Sequence, residues 1–261
     1  FEENENIGKT EFTQPAILLV SSIANAVFKD KCNITPEFVL GHSLGEFSAL
    51  VAAGAIDYLD AVELVHKRGL FMTEACAGGG AGMMALVGID DATVEKVCTE
   101  QRELGKRVWP ANYNMDGQLV LAGIKADLES LVDVFKAAGA KRAIVLDMSV
   151  ASHCELLKRA VENLKPYLEK FLKDEFMPVI SNVSTQAYSS KAEAIELLSS
   201  QLTSPVKYKQ SIKACEDKVD LFIEFGNGIV LKGLNKKITD KATVNVSDMK
   251  TLEAVIGELN D

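Results

Sequence analysis

The 261-residue sequence has few cysteines, and their spacing fits neither a metal site nor a disulfide framework. The five are odd in number and scattered along the chain, at Cys32, Cys76, Cys98, Cys154 and Cys215. No two of them have the short separation of zinc or iron–sulfur ligands. The pattern predicts reduced thiols in a cytosolic protein, with no bound metal.

The sequence also lacks a long basic block, a signal peptide and an apolar run of the roughly 20 residues needed to span a membrane. Its net charge is −9, from 28 Lys and Arg against 37 Asp and Glu. These features argue against nucleic acid or a membrane as a partner, and an acidic protein partner would need a local basic patch. The chain begins at Phe1 rather than methionine, and we expect an N-terminal piece to be missing.

Hydrophobic residues make up 48% of the chain, without internal repeats or a low-complexity linker, which predicts one large domain carrying a smaller insert. The larger part alternates strand and helix patterns, so a largely parallel sheet covered on both faces is expected. Its predicted helices are 14–28 (largely buried, with Pro15 near its first turn), 45–53, 59–75, 154–172, 193–201, a helix around Ser211, 230–238 and 251–259. Its predicted strands are 37–40, 178–183, 221–225 and 243–246.

A different order is predicted between residues 82 and 147. Strands at 83–88, 107–111, 118–123 and 143–148 are interleaved with helices at 92–101 and 126–139. This βαββαβ order is the ferredoxin-like arrangement. We therefore predict an α/β core of residues 1–77 and 150–261, interrupted by a ferredoxin-like insert at 78–149.

One serine lies where a predicted strand meets a predicted helix, in the sequence Gly41-His42-Ser43-Leu44-Gly45. This is the G-x-S-x-G pattern of a nucleophile elbow, whose flanking glycines avoid side-chain clashes in a sharp turn. The Ser43 hydroxyl would be exposed, and the Leu44 N–H at the helix start would point toward a developing oxyanion. The alternative is a glycine-bounded turn with an incidental serine.

A serine nucleophile needs a base, and three histidines are available. His42 adjoins the serine and should point away from it, and His66 is best explained as a packed helical residue. His153 follows a strand, and Ser152 and Glu155 have capping-box spacing, which predicts His153 in a first helical turn near the sheet edge. We favour His153; no acid is clearly marked to orient it, so Asp147, a backbone carbonyl or an amide remain open.

The predicted helix over 59–75 places an arginine on its apolar face. That face consists of Ala61, Leu64, Val65, Arg68, Phe71, Met72 and Ala75. An inward guanidinium is costly without a carboxylate or carbonyl partner. Either Arg68 forms a structural ion pair with a protein acid, or it binds a carboxylate on the substrate.

Together these residues resemble the malonyl-CoA:acyl-carrier-protein transacylases and the related acyltransferase domains of fatty acid and polyketide synthases. The matching segments are TQPAIL (13–18), GHSLGE (41–46), KRG (67–69), AGAKR (138–142), VASHC (150–154), SNV (181–183), QLTSPV (201–206) and GNGIVLKGL (226–234). The resemblance covers nearly the whole chain. It implies an α/β-hydrolase-like core with a ferredoxin-like insert, as the pattern also predicts.

The resemblance also implies residue roles. Ser43 is the implied nucleophile, His153 the base, and Gln201 a residue beside His153 that helps to fix it. On the substrate side it implies that Arg68 binds the malonyl carboxylate, with Leu44, Asn182, Gly226 and Gly228 lining the site. The family opens with a strand and a GQGSQ loop whose glutamine completes the oxyanion hole. No such segment is present here, so we expect this chain to be weakly active or inactive.

The implied reaction is transfer of a malonyl group from malonyl-CoA to the phosphopantetheine thiol of acyl carrier protein, through a malonyl-serine, for fatty acid synthesis. No cofactor is needed, because CoA is part of the substrate and phosphopantetheine is carried by the partner. A serine hydrolase or thioesterase with the same elbow, a carrier-binding module, and a polyketide-type enzyme using methylmalonyl-CoA are the alternatives. The methylmalonyl alternative stays open because the small Ser152 beside His153 leaves room for an α-methyl branch. Carrier docking would use Lys232, Lys236 and Lys237, with Lys207 and Lys209 elsewhere.

Overall fold

The computed structural model describes residues 4–260; residues 1–3 and 261 of the predicted core lie outside the described residues. The α-helices are α1 (Thr10–Lys31), α2 (Leu44–Ala52), α3 (Tyr58–Cys76), α4 (Asp91–Glu103), α5 (Lys125–Ser130), α6 (Val132–Ala137), α7 (Lys158–Phe171), α8 (Lys191–Gln201), α9 (Tyr208–Cys215), α10 (Val230–Ile238) and α11 (Met249–Asn260). The strands are β1 (Ala81–Val87), β2 (Val108–Met115), β3 (Gln118–Ile124), β4 (Arg142–Val145), β5 (Glu175–Ile180), β6 (Ala187–Ser190), β7 (Leu221–Phe225) and β8 (Ala242–Val246).

The middle of the chain forms a four-stranded antiparallel sheet with the order β2-β3-β1-β4. The predicted strand and helix order is present here, with one difference. The helix expected over 126–139 is two short helices, α5 and α6, interrupted at Leu131. At Leu131 the backbone ψ of −5° departs from the helical value, so the helical hydrogen bonding does not continue smoothly.

The two faces of β1 are buried in different hydrophobic clusters. Met84 and Leu86 pack with Leu119 and Leu121 inside the four-stranded unit. Met83, on the other face, belongs to the larger cluster that the core helices form. Successive strand residues point to opposite faces, so β1 joins the unit to the rest of the protein while the unit keeps a core of its own.

Polar contacts also join the four-stranded unit to the core. Val206 acts as a short extra strand beside β2, donating from its N–H to the Ala111 carbonyl at 2.8 Å and accepting from the Tyr113 N–H at 2.9 Å. The Lys209 ammonium lies 2.6 Å from a carboxylate oxygen of Asp91 and 2.8 Å from one of Asp116. These contacts hold the β2–β3 hairpin against the core.

Outside this unit the prediction of one largely parallel sheet is only partly right. β7 and β8 are parallel, but β5 pairs with β6 in the antiparallel sense. The strand expected over 37–40 is a single parallel bridge between Val39 and Val179. β6 is not predicted from the sequence; the chain turns back through Thr185, whose φ is +64°, and so lies antiparallel on β5.

Helix α1 starts earlier than predicted, at Thr10, so Pro15 lies inside it rather than in its first turn. Pro15 has no N–H to donate to the carbonyl of Glu11, one turn earlier. The Nδ1 atom of His66 on α3 lies 2.8 Å from that carbonyl oxygen and donates to it instead. The proline therefore creates a docking point between α1 and α3, which explains the internal position of His66.

The expectation that α1 is largely buried is wrong, because its buried residues are only Gln14, Leu18 and Phe28. By length and composition α1 would also suffice to cross a membrane, contrary to the sequence-based expectation. In the fold it packs against α3 and α2, and Gln14 is bonded to Arg68 of α3.

Helices α1 and α3 approach most closely at Gly69. A Cβ at this position would lie 2.5 Å from the Glu11 Cα, so Gly69→Ala should push the helices apart and cost about 1–3 kcal/mol of unfolding free energy. The control is Gly233→Ala on α10, where a Cβ meets nothing within 4 Å and alanine should be neutral or stabilising. Urea unfolding of both variants measures the difference; equal stabilities would contradict the close packing.

Candidate active site

Ser43 lies in a strained turn at the start of α2, with φ of +54° and ψ of −105°. A Cβ on Gly41 would overlap the backbone of Gly45, so Gly41 must be glycine. The expectation that both flanking side chains would clash is wrong for Gly45, where a Cβ would meet nothing within 4 Å. The Gly45 backbone instead occupies the space next to Gly41, which makes the turn sharp.

The side chain of Asn182 holds this turn through two hydrogen bonds to its backbone. Its Oδ1 accepts a hydrogen bond from the Ser43 N–H at 2.7 Å, and its Nδ2 donates to the Gly41 carbonyl at 2.7 Å. Asn182 is buried. Both polar atoms of its amide are thus engaged by the backbone around the serine.

His153 lies beside the serine hydroxyl. Its Nε2 is 2.7 Å from the Ser43 Oγ, and its Nδ1 is 2.7 Å from the backbone carbonyl oxygen of Gln201. Because a carbonyl only accepts, Nδ1 carries the proton and Nε2 is free to accept the serine proton. Burial, with the nearby charge of Arg68, lowers the pKa of His153 to about 3, so the ring is neutral at physiological pH.

Of the three orienting groups left open, the structure has the backbone carbonyl. Asp147 is exposed, and its carboxylate makes no hydrogen bond to His153. The predicted capping box is wrong, because Ser152 does not cap a helix. A short 3-10 turn at Glu155–Leu157 precedes α7 instead. His153 lies before that turn with φ of +59°, a conformation that non-glycine residues rarely adopt.

The other two histidines do not contact the serine hydroxyl. His42 Nε2 donates to the Oδ1 of Asn114 at 2.8 Å, across to β2. His66 donates to the Glu11 carbonyl as described above.

Arg68 is 2% exposed, and every one of its hydrogen-bond acceptors in residues 4–260 is neutral. Its Nη1 donates to Gln14 Oε1 at 2.7 Å, and its Nη2 donates to Gln201 Oε1 at 2.9 Å and to Ser43 Oγ at 3.2 Å. Its Nε is buried without a partner in this part of the chain. Burial lowers the pKa of Arg68 to about 10, which leaves it cationic at neutral pH.

Sequence reasoning missed Glu46, which is 1% exposed on α2. Its Oε2 accepts from Gln201 Nε2 at 2.8 Å and from the Asn182 N–H at 3.1 Å, and its Oε1 accepts from the Tyr188 hydroxyl at 2.9 Å. Burial raises the pKa of Glu46 to about 6, although these hydrogen bonds and the charge of Arg68 oppose the rise. A signal was available, since Glu46 is the one charged residue of α2, just as Arg68 is the one charged residue on the apolar face of α3.

The remaining predicted site residues are Leu44, which adjoins Ser43, and Gly226 and Gly228, which lie in the turn after β7. Across the described range, no group accepts a hydrogen bond from the Leu44 N–H at the first position of α2, so this donor is free. Gly226 has a φ of +141° and lies close to α1, where a Cβ on it would be 3.1 Å from the Ser21 Oγ. The Gly228 carbonyl accepts a hydrogen bond from the Asn245 side chain. No hydrogen bond found in residues 4–260 joins this turn to Ser43.

Residues 4–260 contain no group of three or more His, Cys, Asp or Glu side chains placed to hold an ion. All five cysteines are free thiols, and each is at least partly buried.

Comparison with known proteins identifies the family of this chain. The Acyl transferase domain family matches residues 2–260. A malonyl CoA-acyl carrier protein transacylase of Bacillus subtilis is 44% identical, over 98% of this chain and 82% of its own length.

Solved structures agree with this match. The malonyl-CoA:acyl carrier protein transacylase of Helicobacter pylori superposes with a TM-score of 0.95 at 46% identity, covering 100% of this chain and 84% of its own. A malonyl-transacylase in complex with its type II polyketide synthase acyl-carrier protein gives a TM-score of 0.93 at 38% identity, covering 97% and 83%. The mixed α/β chain described here therefore belongs to the malonyl-CoA:acyl-carrier-protein transacylase family of acyltransferases.

Proposed function

We propose that this protein transfers a malonyl group from malonyl-CoA to the phosphopantetheine thiol of acyl carrier protein, through a malonyl ester on Ser43. The relatives named above are malonyl transacylases, and one is bound to an acyl-carrier protein. The observation that carries the proposal is the buried Arg68, whose Nη2 is 3.2 Å from Ser43 Oγ and whose hydrogen-bond acceptors within residues 4–260 are all neutral. A hydrolase of uncharged esters has no use for such a cation.

In the first half-reaction His153 Nε2 takes the Ser43 proton while Oγ attacks the thioester carbonyl. The Leu44 N–H, at the positive end of α2, stabilises the negative oxygen that forms. CoA leaves with the proton from His153, and the malonyl carboxylate binds the Arg68 guanidinium. In the second half the carrier thiol gives its proton to His153 and attacks the ester carbonyl. The bond from that carbonyl to Ser43 Oγ breaks, and Oγ takes the proton back from His153.

The supporting residues act by position. Gln201 orients the His153 ring through its backbone carbonyl and holds Arg68 through its side-chain oxygen. For Asn182 we now propose a role in fixing the elbow instead of a substrate contact. Gly226 and Gly228 are proposed to line the wall that faces the substrate.

We further propose that residues 1–77 and 150–261 are an α/β-hydrolase-like core and that 78–149 are a ferredoxin-like insert. The β2-β3-β1-β4 sheet and its own hydrophobic cluster support this division. Five free thiols fit a protein of the cytoplasm. The proposed chemistry uses no metal or cofactor.

For the carrier, which we expect to be acidic, we propose docking at the lysines of α10. Lys232, Lys236 and Lys237 are exposed there, and Lys232 and Lys236 line a groove of about 410 Å³. Lys209 is unsuitable, since Asp91 and Asp116 already neutralise it.

The nucleophile is tested by intact-protein mass after brief exposure to malonyl-CoA. We expect one malonyl adduct that maps to Ser43, is absent from Ser43→Ala and persists in a Ser184→Ala control at an exposed serine. The same chain preceded by the GQGSQ-containing segment of a relative should react faster, because one oxyanion donor contributes on the order of a hundredfold in rate. Loss of malonyl-CoA to free malonate without an adduct would favour a hydrolase.

The arginine role is tested by acyl-group preference. Arg68→Ala should reduce kcat/KM for malonyl-CoA by about a hundredfold or more while acetyl-CoA begins to react, because a buried carboxylate loses its cation. Lys67→Ala, which removes the neighbouring cation of α3, is the matched control and should change neither rate. An unchanged malonyl preference in Arg68→Ala would contradict the proposal.

The docking surface is tested by steady-state kinetics with acyl carrier protein. Lys236→Glu should raise the KM for the carrier about tenfold and leave the rate of Ser43 acylation by malonyl-CoA unchanged. Lys165→Glu, the same charge reversal at an exposed site on α7, is the control. Equal effects of the two substitutions would show that only net charge matters.

A further inference from the structure

We infer that Glu46 is a positioning residue for acyl transfer: its carboxylate holds Gln201 where that residue can orient both His153 and Arg68. The inference rests on the proposed function and extends it to a residue that touches neither substrate nor reacting atom.

The link runs through Gln201, which is fully buried at the end of α8. Its Nε2 donates to Glu46 Oε2 at 2.8 Å and to the Ser43 carbonyl at 3.1 Å. With the amide nitrogen held on that side, Oε1 faces Arg68 Nη2 at 2.9 Å. The backbone carbonyl of the same residue receives the His153 Nδ1 proton. One carboxylate thereby fixes the amide orientation of a residue that contacts both base and cation.

The site needs an acceptor with no proton of its own. Three donors converge on Glu46: the Tyr188 hydroxyl, the Gln201 amide and the Asn182 backbone N–H. An ionised carboxylate accepts from all three. When the carboxyl group is protonated, one of its oxygens carries a hydrogen and faces donors that it can no longer accept from equally well. The hydrogen bond from Gln201 or the one from the Asn182 N–H is then weakened.

Charge adds a second reason. Arg68 has only neutral hydrogen-bond acceptors among the described residues, and Glu46 is the acid whose field raises its pKa, acting from beyond Gln201. The titratable groups that face Glu46 are Arg68 from α3 and Tyr188 from β6, while Asn182 and Gln201 are neutral. His153 contacts the backbone carbonyl of Gln201, so that Gln201 lies between His153 and Glu46. Glu46 therefore offsets the buried cation without occupying the position that the malonyl carboxylate takes.

The test is the pH dependence of Ser43 reactivity toward a fluorophosphonate, which phosphonylates an activated serine with release of fluoride. It reports the Ser43–His153 pair whichever acyl donor is natural. Because the Glu46 pKa is about 6, the wild-type labelling rate should fall as pH drops through about 6. His153, with its pKa of about 3, does not titrate in this range.

Glu46→Gln keeps the size and an acceptor oxygen but removes the charge and the titration. We expect its labelling rate at pH 7.5 to be about tenfold lower or more, and flat between about pH 5 and 7. Its KM for malonyl-CoA should not rise, because an anion that repels the substrate carboxylate is gone, whereas general disruption would raise KM and lower kcat together. Glu63→Gln, at an exposed glutamate of α3, is the matched control and should behave as wild type.

Tyr188→Phe removes one donor and leaves the charge. Its hydroxyl lowers the pKa of Glu46, so its loss should move the acid limb of the labelling profile to higher pH. This variant decides the question if Glu46→Gln does not fold. A wild-type profile in both variants would overturn the inference. The expected profiles together with no reaction of malonyl-CoA would overturn the proposed function and leave the role of Glu46 standing.

Discussion

The arrangement around Ser43 depends on the buried cation of Arg68, whose hydrogen-bond acceptors are all neutral in the part of the chain that the structure describes. Desolvating a guanidinium is costly, and proteins usually offset that cost with a carboxylate in direct contact. Here Arg68 receives amide oxygens from Gln14 and Gln201 instead. Amide acceptors hold the guanidinium in place without neutralising it. In our proposal the substrate carboxylate meets the remaining electrostatic demand, while Glu46 lies on the far side of the Gln201 side chain.

Ser43 and His153, the proposed nucleophile and base, share a second constraint, because both have positive φ values, +54° and +59°. Such conformations cost about 1–3 kcal/mol each and persist only where surrounding contacts hold them. Asn182 holds the first and the Gln201 carbonyl receives the second. Both supports come from the segment between β5 and α9. The reactive pair is therefore assembled from backbone that is distant in sequence.

The sequence was informative wherever one residue contradicted its local pattern. The glycines around Ser43 and the arginine on an apolar face both identified residues that the structure brings together, and the order of elements in the four-stranded unit followed from hydrophobic periodicity. Glu46, like Arg68, is a charged residue at a buried helical position, but the sequence analysis does not identify it. Local signals failed for His153, where a capping pattern was present without a helix start, because the orienting partner is 48 residues away. They failed also for α1, where an apolar run does not show which partners cover it.

The hydrogen bond between His42 and Asn114 joins the residue next to Ser43 to a strand of the four-stranded unit. Val206 and Lys209 fasten the same hairpin from the core side. For chimeras between relatives, this means that residues 78–149 do not form an independent cassette. A segment exchanged from a relative replaces Asn114, the hydrogen-bond partner of His42 in the Ser43 turn. Productive crossover points are those that transfer the residues at 42, 206 and 209 together with their partners in the hairpin.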